Sequence, residues 1–244
     1  MSSLALVLIQ TPMHIAEAQT TTSTISNNLL NYEWTQSTSD ASRSFASAGP
    51  GPDSFNILWR TNIPGVISQP IAFDGKVFVQ DNSVYYGTGS TTYCLDAGTG
   101  QILWKISAAG SIIKLDNTYM LLGNNAYKIA DGTLAWTAPT GFMIDYYTFN
   151  GLTQLNGIGY DSALKTFFTG SLMSPALQAW SLPDASKPPT LLWNRATQSD
   201  YGKYGSETNA LESQGVVVCD TSYEYLLGIN ATTGKTIWAT PIHK

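Results

Sequence analysis

The chain has 244 residues, of which 12% are charged and 11% aromatic, with a formal net charge of -5. A charged fraction about half the ~25% usual in soluble domains, beside abundant Gly, Ser, Thr and Asn, favours short strands joined by turns. The 12 Lys and Arg are scattered singly, which leaves no basic stripe for a phosphate backbone and argues against nucleic-acid binding.

At the amino terminus, the apolar run Leu4 to Ile9 is followed by small residues at Ala16 and Ala18. Residues 1-18 therefore read as a truncated secretory signal, cut before Gln19, although no Lys or Arg precedes the run. Export from the cytoplasm, to a secreted or cell-surface location, is the resulting expectation. Residues 19-52 are rich in Ser, Thr and Asn and are expected to form a lead-in, with Trp34 as an aromatic anchor docked on the first blade of the main body. Nowhere does the sequence approach the ~18 to 20 uninterrupted apolar residues of a membrane helix. Cys94 and Cys219 are far apart and form no CxxC or CxxCH signature, and the only histidines are His14 and His243. Zinc sites and histidine-based triads are thus disfavoured in the body of the fold.

From residue 53 onward a repeat organises the chain. Thr92 to Lys105 (TYCLDAGTGQILWK) aligns without gaps on Leu226 to Ala239 (LLGINATTGKTIWA). Each copy has an apolar strand, an Asx residue (Asp96, Asn230), Thr-Gly (Thr99-Gly100, Thr233-Gly234), and a Trp four residues beyond the Gly (Trp104, Trp238). The spacing describes a hairpin, because an Asx side chain accepts backbone N–H groups just ahead of it and Gly adopts positive φ cheaply. Ala126 to Trp136 keeps the strand, Asp131-Gly132 and the Trp. Ala179 to Trp193 substitutes a Pro-containing loop around Asp184, and FNILWR, with Trp59, keeps only the last strand. The tags fall 45, 32, 57 and 45 residues apart, against the ~40 to 50 typical of a four-stranded propeller blade. Strands are expected at PIAF, KVFVQ, TYCL and QILWKI in the first interval, and at ALES, GVVVCD, EYLLGI and KTIWAT in the last.

This pattern resembles the PQQ-like (quinoprotein-like) β-propeller repeat family, whose blades carry Leu-Asp-Ala-x-Thr-Gly-x-x-x-Trp. Leu95 to Trp104 matches it position by position, Asn230 to Trp238 with Asn for Asp, and the remaining tags in part. The resemblance implies an all-β propeller of four-stranded antiparallel blades over residues 53-244, with Trp59, Trp104, Trp136, Trp193 and Trp238 docked between neighbouring blades. About four blades are present against the seven or eight usual in the family, so an incomplete, open ring and a piece of a longer chain are expected, with Ile57 to Arg60 as an orphan outer strand.

The leading functional expectation is a non-catalytic extracytoplasmic scaffold that binds a protein or a cell-surface polymer, with no cofactor and no catalytic or metal residues. The stretch from Gly141 to Ser181, with Tyr146, Tyr147, Phe149, Tyr160, Phe167 and Phe168, is a candidate recognition surface; the same aromatics also suit strands packed between sheets. The competing expectation is a fragment of a PQQ-dependent dehydrogenase that holds PQQ with Ca²⁺ and oxidises alcohols or sugars. Gly87 to Ser90 (GTGS) lacks the Lys and helix of a phosphate loop. Asn230-Ala231-Thr232 is a glycosylation sequon whose Asn is also the turn residue of its repeat.

Overall fold

A computed structural model describes residues 33–36, 56–65, 70–81, 90–142, 145–149, 152–156, 158–169, 177–205 and 207–242, with backbone only at 145–149, 152–156, 158 and 208–209. The amino-terminal 18 residues, most of the lead-in, Gly87 to Gly89, both histidines and the side chains of Tyr146, Tyr147 and Phe149 lie outside the described residues.

Four antiparallel four-stranded sheets follow one another along the chain, each a meander in which every strand pairs with the next. Blade one comprises β1 (Ile71–Phe73), β2 (Lys76–Gln80), β3 (Thr92–Asp96) and β4 (Ile102–Ile106). Blade two comprises β5 (Ile112–Lys114), β6 (Tyr119–Leu122), β7 (Asn125–Lys128) and β8 (Leu134–Thr137). A separate hairpin, β9 (Asp145–Phe149) with β10 (Leu152–Asn156), precedes blade three. That blade is β11 (Ile158–Asp161), β12 (Thr166–Thr169), β13 (Gln178–Ser181) and β14 (Thr190–Asn194). Blade four is β15 (Glu207–Ser213), β16 (Val216–Thr221), β17 (Tyr225–Asn230) and β18 (Thr236–Pro241). The sheets do not close into a ring, so the molecule is an open arc of a β-propeller.

The two irregular tag intervals have simple physical origins. Blade two fits 32 residues because its strands are only three or four residues long and Gly123-Asn124 joins β6 to β7 directly. The long interval contains an ordinary blade plus the extra hairpin, so the stretch from Gly141 to Ser181 holds that hairpin and the first three strands of blade three. Residues 56 to 63, which include the expected outer strand Ile57 to Arg60, carry no strand pairing among the described residues.

Blades two and three are covered on both faces, which is why consecutive residues of their middle strands are buried together. In β6, Met120 and Leu122 face blade one while Leu121 faces blade three. In β12, Phe167 packs toward blade two and Phe168 toward blade four. The apolar core is therefore three inter-blade layers plus a smaller one on the outer face of blade one, where Val79, Tyr93 and Leu95 meet Trp59 and Ile63. First strands are buried and last strands largely exposed, which sets first strands at the inside of the arc and last strands at its rim.

Candidate functional site

The repeat residues assemble one recurring joint. Asp96 Oδ1 accepts from the N–H groups of Gly98 and Thr99 at 3.0 and 2.8 Å and from the Thr99 hydroxyl at 2.9 Å. Asn230 does the same in blade four, from Thr232 and Thr233 at 3.1 and 2.9 Å and from the Thr233 hydroxyl at 3.0 Å. These bonds pull Asp96 below its ordinary range, the Thr99 hydroxyl first among them, and the Thr133 N–H does likewise for Asp131. Each turn then receives the indole of the preceding tag. Trp59 Nε1 donates to Ala97 O at 2.9 Å, Trp104 to Ile129 O at 3.1 Å, Trp136 to Ala185 O at 2.8 Å and Trp193 to Ala231 O at 2.9 Å. Gly100, Gly132 and Gly234, at φ of +71, +71 and +70°, turn their bare Cα toward the arriving indole. A Cβ there would meet the ring, so Gly serves conformation and contact together. Trp238 is 38% exposed, and its indole lies back over Gly228 of its own blade.

One element of the joint is not visible in the repeat itself. The last two strands of every blade slip register by one residue, between Cys94/Leu95, Ala126/Tyr127, Ala179/Trp180 and Gly228/Ile229. The extra residue in each case immediately precedes the tag Trp, at Leu103, Ala135, Leu192 and Ile237. Such a bulge re-aims a side chain. In the first three blades it aims the indole across a small partner, Cys94, Ala126 or Ala179, toward the next blade, and in blade four it sets the Trp238 indole over Gly228.

Among the described residues Cys94 and Cys219 are free and buried in different inter-blade layers, and burial pushes both thiols up, Cys94 to about 12. Of the candidate recognition aromatics, Tyr160, Phe167 and Phe168 are at most 4% exposed and belong to the core.

Where the inner strands meet, residues 33 to 36 form a strap. Trp34 exchanges backbone bonds with Ala72 of β1 at 2.8 and 3.2 Å, Thr35 O accepts from Lys114 N at 2.8 Å, and Gln36 bridges to Ile113 of β5. The Gln36 side-chain amide reaches the backbone of Tyr160 in β11, donating at 3.3 Å and accepting at 3.5 Å. Glu33 accepts from Asp74 N at 2.8 Å and from Lys114 Nζ at 2.6 Å, and Lys114 also bonds Asp74 Oδ1 at 2.9 Å. Burial works against the Lys114 charge, but the Glu33 and Asp74 bonds outweigh it and raise its pKa.

The strap and the first turns of blades two, three and four line an open cavity of about 640 Å³. Its wall carries Asp116 from blade two, Tyr160, Asp161 and Lys165 from blade three, and Glu212 from blade four. Glu212 is 4% exposed, and burial, with its bond to the Asp161 carboxyl, pushes its pKa up to about 7. Burial pushes Asp161 up as well, but bonds from Glu212 and the N–H groups of Leu164 and Ala163 leave it lowered. Behind the cavity, Arg195 at the end of β14 is fully buried and grips Glu207 of β15 through Nε at 2.9 and 3.0 Å and Nη2 at 2.6 Å. Arg195 also donates to Gly234 O at 2.8 Å and pairs with Asp200 at 3.1 Å. Burial pushes Glu207 up against the pull of this guanidinium.

Blades built in this way, joined by Trp-to-turn bonds, define an open β-propeller. Among solved structures the chain is similar to BamB from Moraxella catarrhalis, with 17% identity, a TM-score of 0.51, and coverage of 75% of this chain and 56% of that one. It is also similar to the computationally designed protein Ika8, with 14% identity, a TM-score of 0.48 and coverage of 76% and 52%. A third likeness is to the quinohemoprotein alcohol dehydrogenase ADHIIG from Pseudomonas putida HK5, with 17% identity, a TM-score of 0.42 and coverage of 71% and 34%. The chain spans about half the length, or less, of these structures. No protein-family model and no curated protein sequence matches it.

The cavity does not fit a quinone cofactor with its calcium ion. Among the described residues no three His, Cys, Asp or Glu side chains converge to hold a metal, and calcium needs several oxygen ligands. The carboxyls of Asp116, Asp161 and Glu212 would also repel a quinone that carries carboxylates of its own.

Proposed function

We propose that this chain is a non-catalytic propeller that works outside the cytoplasm, holding a protein or cell-surface polymer against the inner mouth of the arc. The observation that carries the reading is the cavity itself. It is polar, is built by turns of three blades and the strap, and carries the acids Asp116, Asp161 and Glu212 on its wall. Blades joined by buried Trp bonds form a rigid frame, and the turns at one end of such a frame are free to vary and to bind. The backbone likeness to BamB supports the scaffold side of the reading. No helix among the described residues is long and apolar enough to cross a membrane.

The test is a photo-reactive side chain placed at exposed Asn117, on the cavity wall, in cells that are fractionated after irradiation. The expected result is a discrete cross-linked product in the extracytoplasmic fraction. Recovery of the protein in the cytoplasm, or stoichiometric uptake of PQQ with Ca²⁺ by the purified chain, would overturn the proposal.

A further inference from the structure

Blade four repeats the turn of blade one with two side chains that the turn does not use. The gapless alignment sets Asp96-Ala97-Gly98-Thr99-Gly100 against Asn230-Ala231-Thr232-Thr233-Gly234. In both copies a single Asx oxygen, Oδ1, accepts the two backbone N–H groups ahead of it and the hydroxyl of Thr99 or Thr233. Asp96 shows that a carboxylate suffices, and the corresponding turns of blades two and three also use Asp, at Asp131 and Asp184. Of the four, blade four alone carries an amide, whose Nδ2 donates no hydrogen bond among the described residues. Gly98 shows likewise that the third position of the turn needs no side chain. Thr232 stands there in blade four, with its N–H bonded to Asn230 and its hydroxyl unbonded among the described residues.

The two spare groups are the two that define an N-glycosylation acceptor, Asn-x-Ser/Thr with x other than Pro, and the chain contains that pattern once. Their placement suits a bulky, polar substituent. Ala231 between them faces inward: it is 1% exposed, its carbonyl accepts from the Trp193 indole at 2.9 Å, and its N–H donates to Gly215 O at 2.9 Å. Asn230 itself is partly exposed, and Thr232, Thr233 and Lys235 beside it are exposed. A sugar on Nδ2 leaves the side chain an amide with Oδ1 still an acceptor, so every bond of the turn survives the substitution.

We propose that Asn230 is a modification site that carries an N-linked oligosaccharide. The bond formed joins Nδ2 to the anomeric carbon of the sugar, and the bond broken is that carbon's bond to the phosphate of a polyprenyl-phosphate-linked donor. The phosphate leaves with the electron pair, and the amide nitrogen gives up one proton. The β15–β16 turn that bonds Ala231 through Gly215 also contributes Ser213 and Gln214 to the cavity wall, so the sugar borders the surface on which the partner is held. That the chain meets such a donor rests on its export, part of the reading above; the spare amide and hydroxyl do not.

The experiment is mass spectrometry of the full chain recovered from fractionated cells of its own source, intact and as the tryptic peptide Tyr204 to Lys235 that contains the site. The expected result is added saccharide mass on that peptide, with sugar fragment ions. Two variants separate the sugar from the turn. Asn230→Asp keeps the acceptor that blade one uses, and Thr232→Ala keeps the backbone N–H that Asn230 binds. Both should fold, with far-UV circular dichroism like that of the native chain, and both should lose the added mass completely, whereas Thr232→Ser should retain it. Unmodified Asn230 in protein recovered outside the cytoplasm would overturn the proposal and leave the export reading standing. Unmodified protein recovered in the cytoplasm would overturn both. Added mass that persists in Thr232→Ala would overturn the assignment to this acceptor.

Discussion

At the scale of the residue, the tag tryptophans divide by what their indole nitrogen meets. Trp193 is 6% exposed and bonded to Ala231, whereas Trp238 is 38% exposed over Gly228. Trp193→Ala is expected to cost about 3–5 kcal/mol, the usual range for a buried aromatic, and Trp238→Ala much less. Urea unfolding of the two variants checks this, and equal losses would refute the division. Arg195 offers a second contrast, since it and Glu207 are both fully inaccessible. Arg195→Leu leaves a buried carboxylate uncompensated and should cost about 3–5 kcal/mol, while Arg195→Leu with Glu207→Leu should recover much of that. A double variant as unstable as the single would mean that the ion pair itself, and not the stranded charge, supplies the stability.

At the scale of the element, the sequence revealed what is periodic and local and hid what is bulged or long-range. The turn from Asp96 to Gly100 and its copy from Asn230 to Gly234 are readable because a few adjacent residues specify all their bonds. The strands flanking them come from alternation and turn chemistry. The bulge before each Trp is not readable, since Leu103, Ala135, Leu192 and Ile237 share only their position. Nor is the separate hairpin, whose Tyr- and Leu-bearing strands look like any other blade segment. The cavity was still more hidden. Its walls come from positions near 35, 115, 161 and 213, and no local pattern marks Asp161 and Glu212 as partners. At Gly228 the bulge has a direct consequence: a Cβ would overlap the Trp238 indole. Gly228→Ala should therefore expel the ring into water and increase acrylamide quenching of tryptophan emission; unchanged quenching would show that the indole does not rest there.

At the scale of the whole molecule, the acid pair makes stability depend on pH with a definite sign. Glu212 titrates near 4.5 when unfolded and is raised to about 7 in the fold, so between those values the folded chain binds more protons than the unfolded one. Stability must then fall as pH rises through that window. Asp161, lowered from 3.8, acts in the opposite sense only at more acidic pH. The thermal midpoint should decline from pH 5 to pH 8 in the native chain and much less in Glu212→Gln; parallel profiles would contradict the raised Glu212 pKa. The strap bears on the molecule as a whole in another way. A row of repeats held only by neighbour contacts loses its end units one at a time, its stability a sum of short-range terms. Four residues that bond β1, β5 and β11 tie Gln36 to Tyr160 across 124 positions of sequence, and so turn three separable blades into one cooperative unit. Blade four lies outside that brace among the described contacts. It is held to blade three by the buried Arg195–Glu207 pair, the Trp193 bond, the Asp161–Glu212 contact and the apolar layer between them, so among the described contacts blade four is secured through its one neighbour alone.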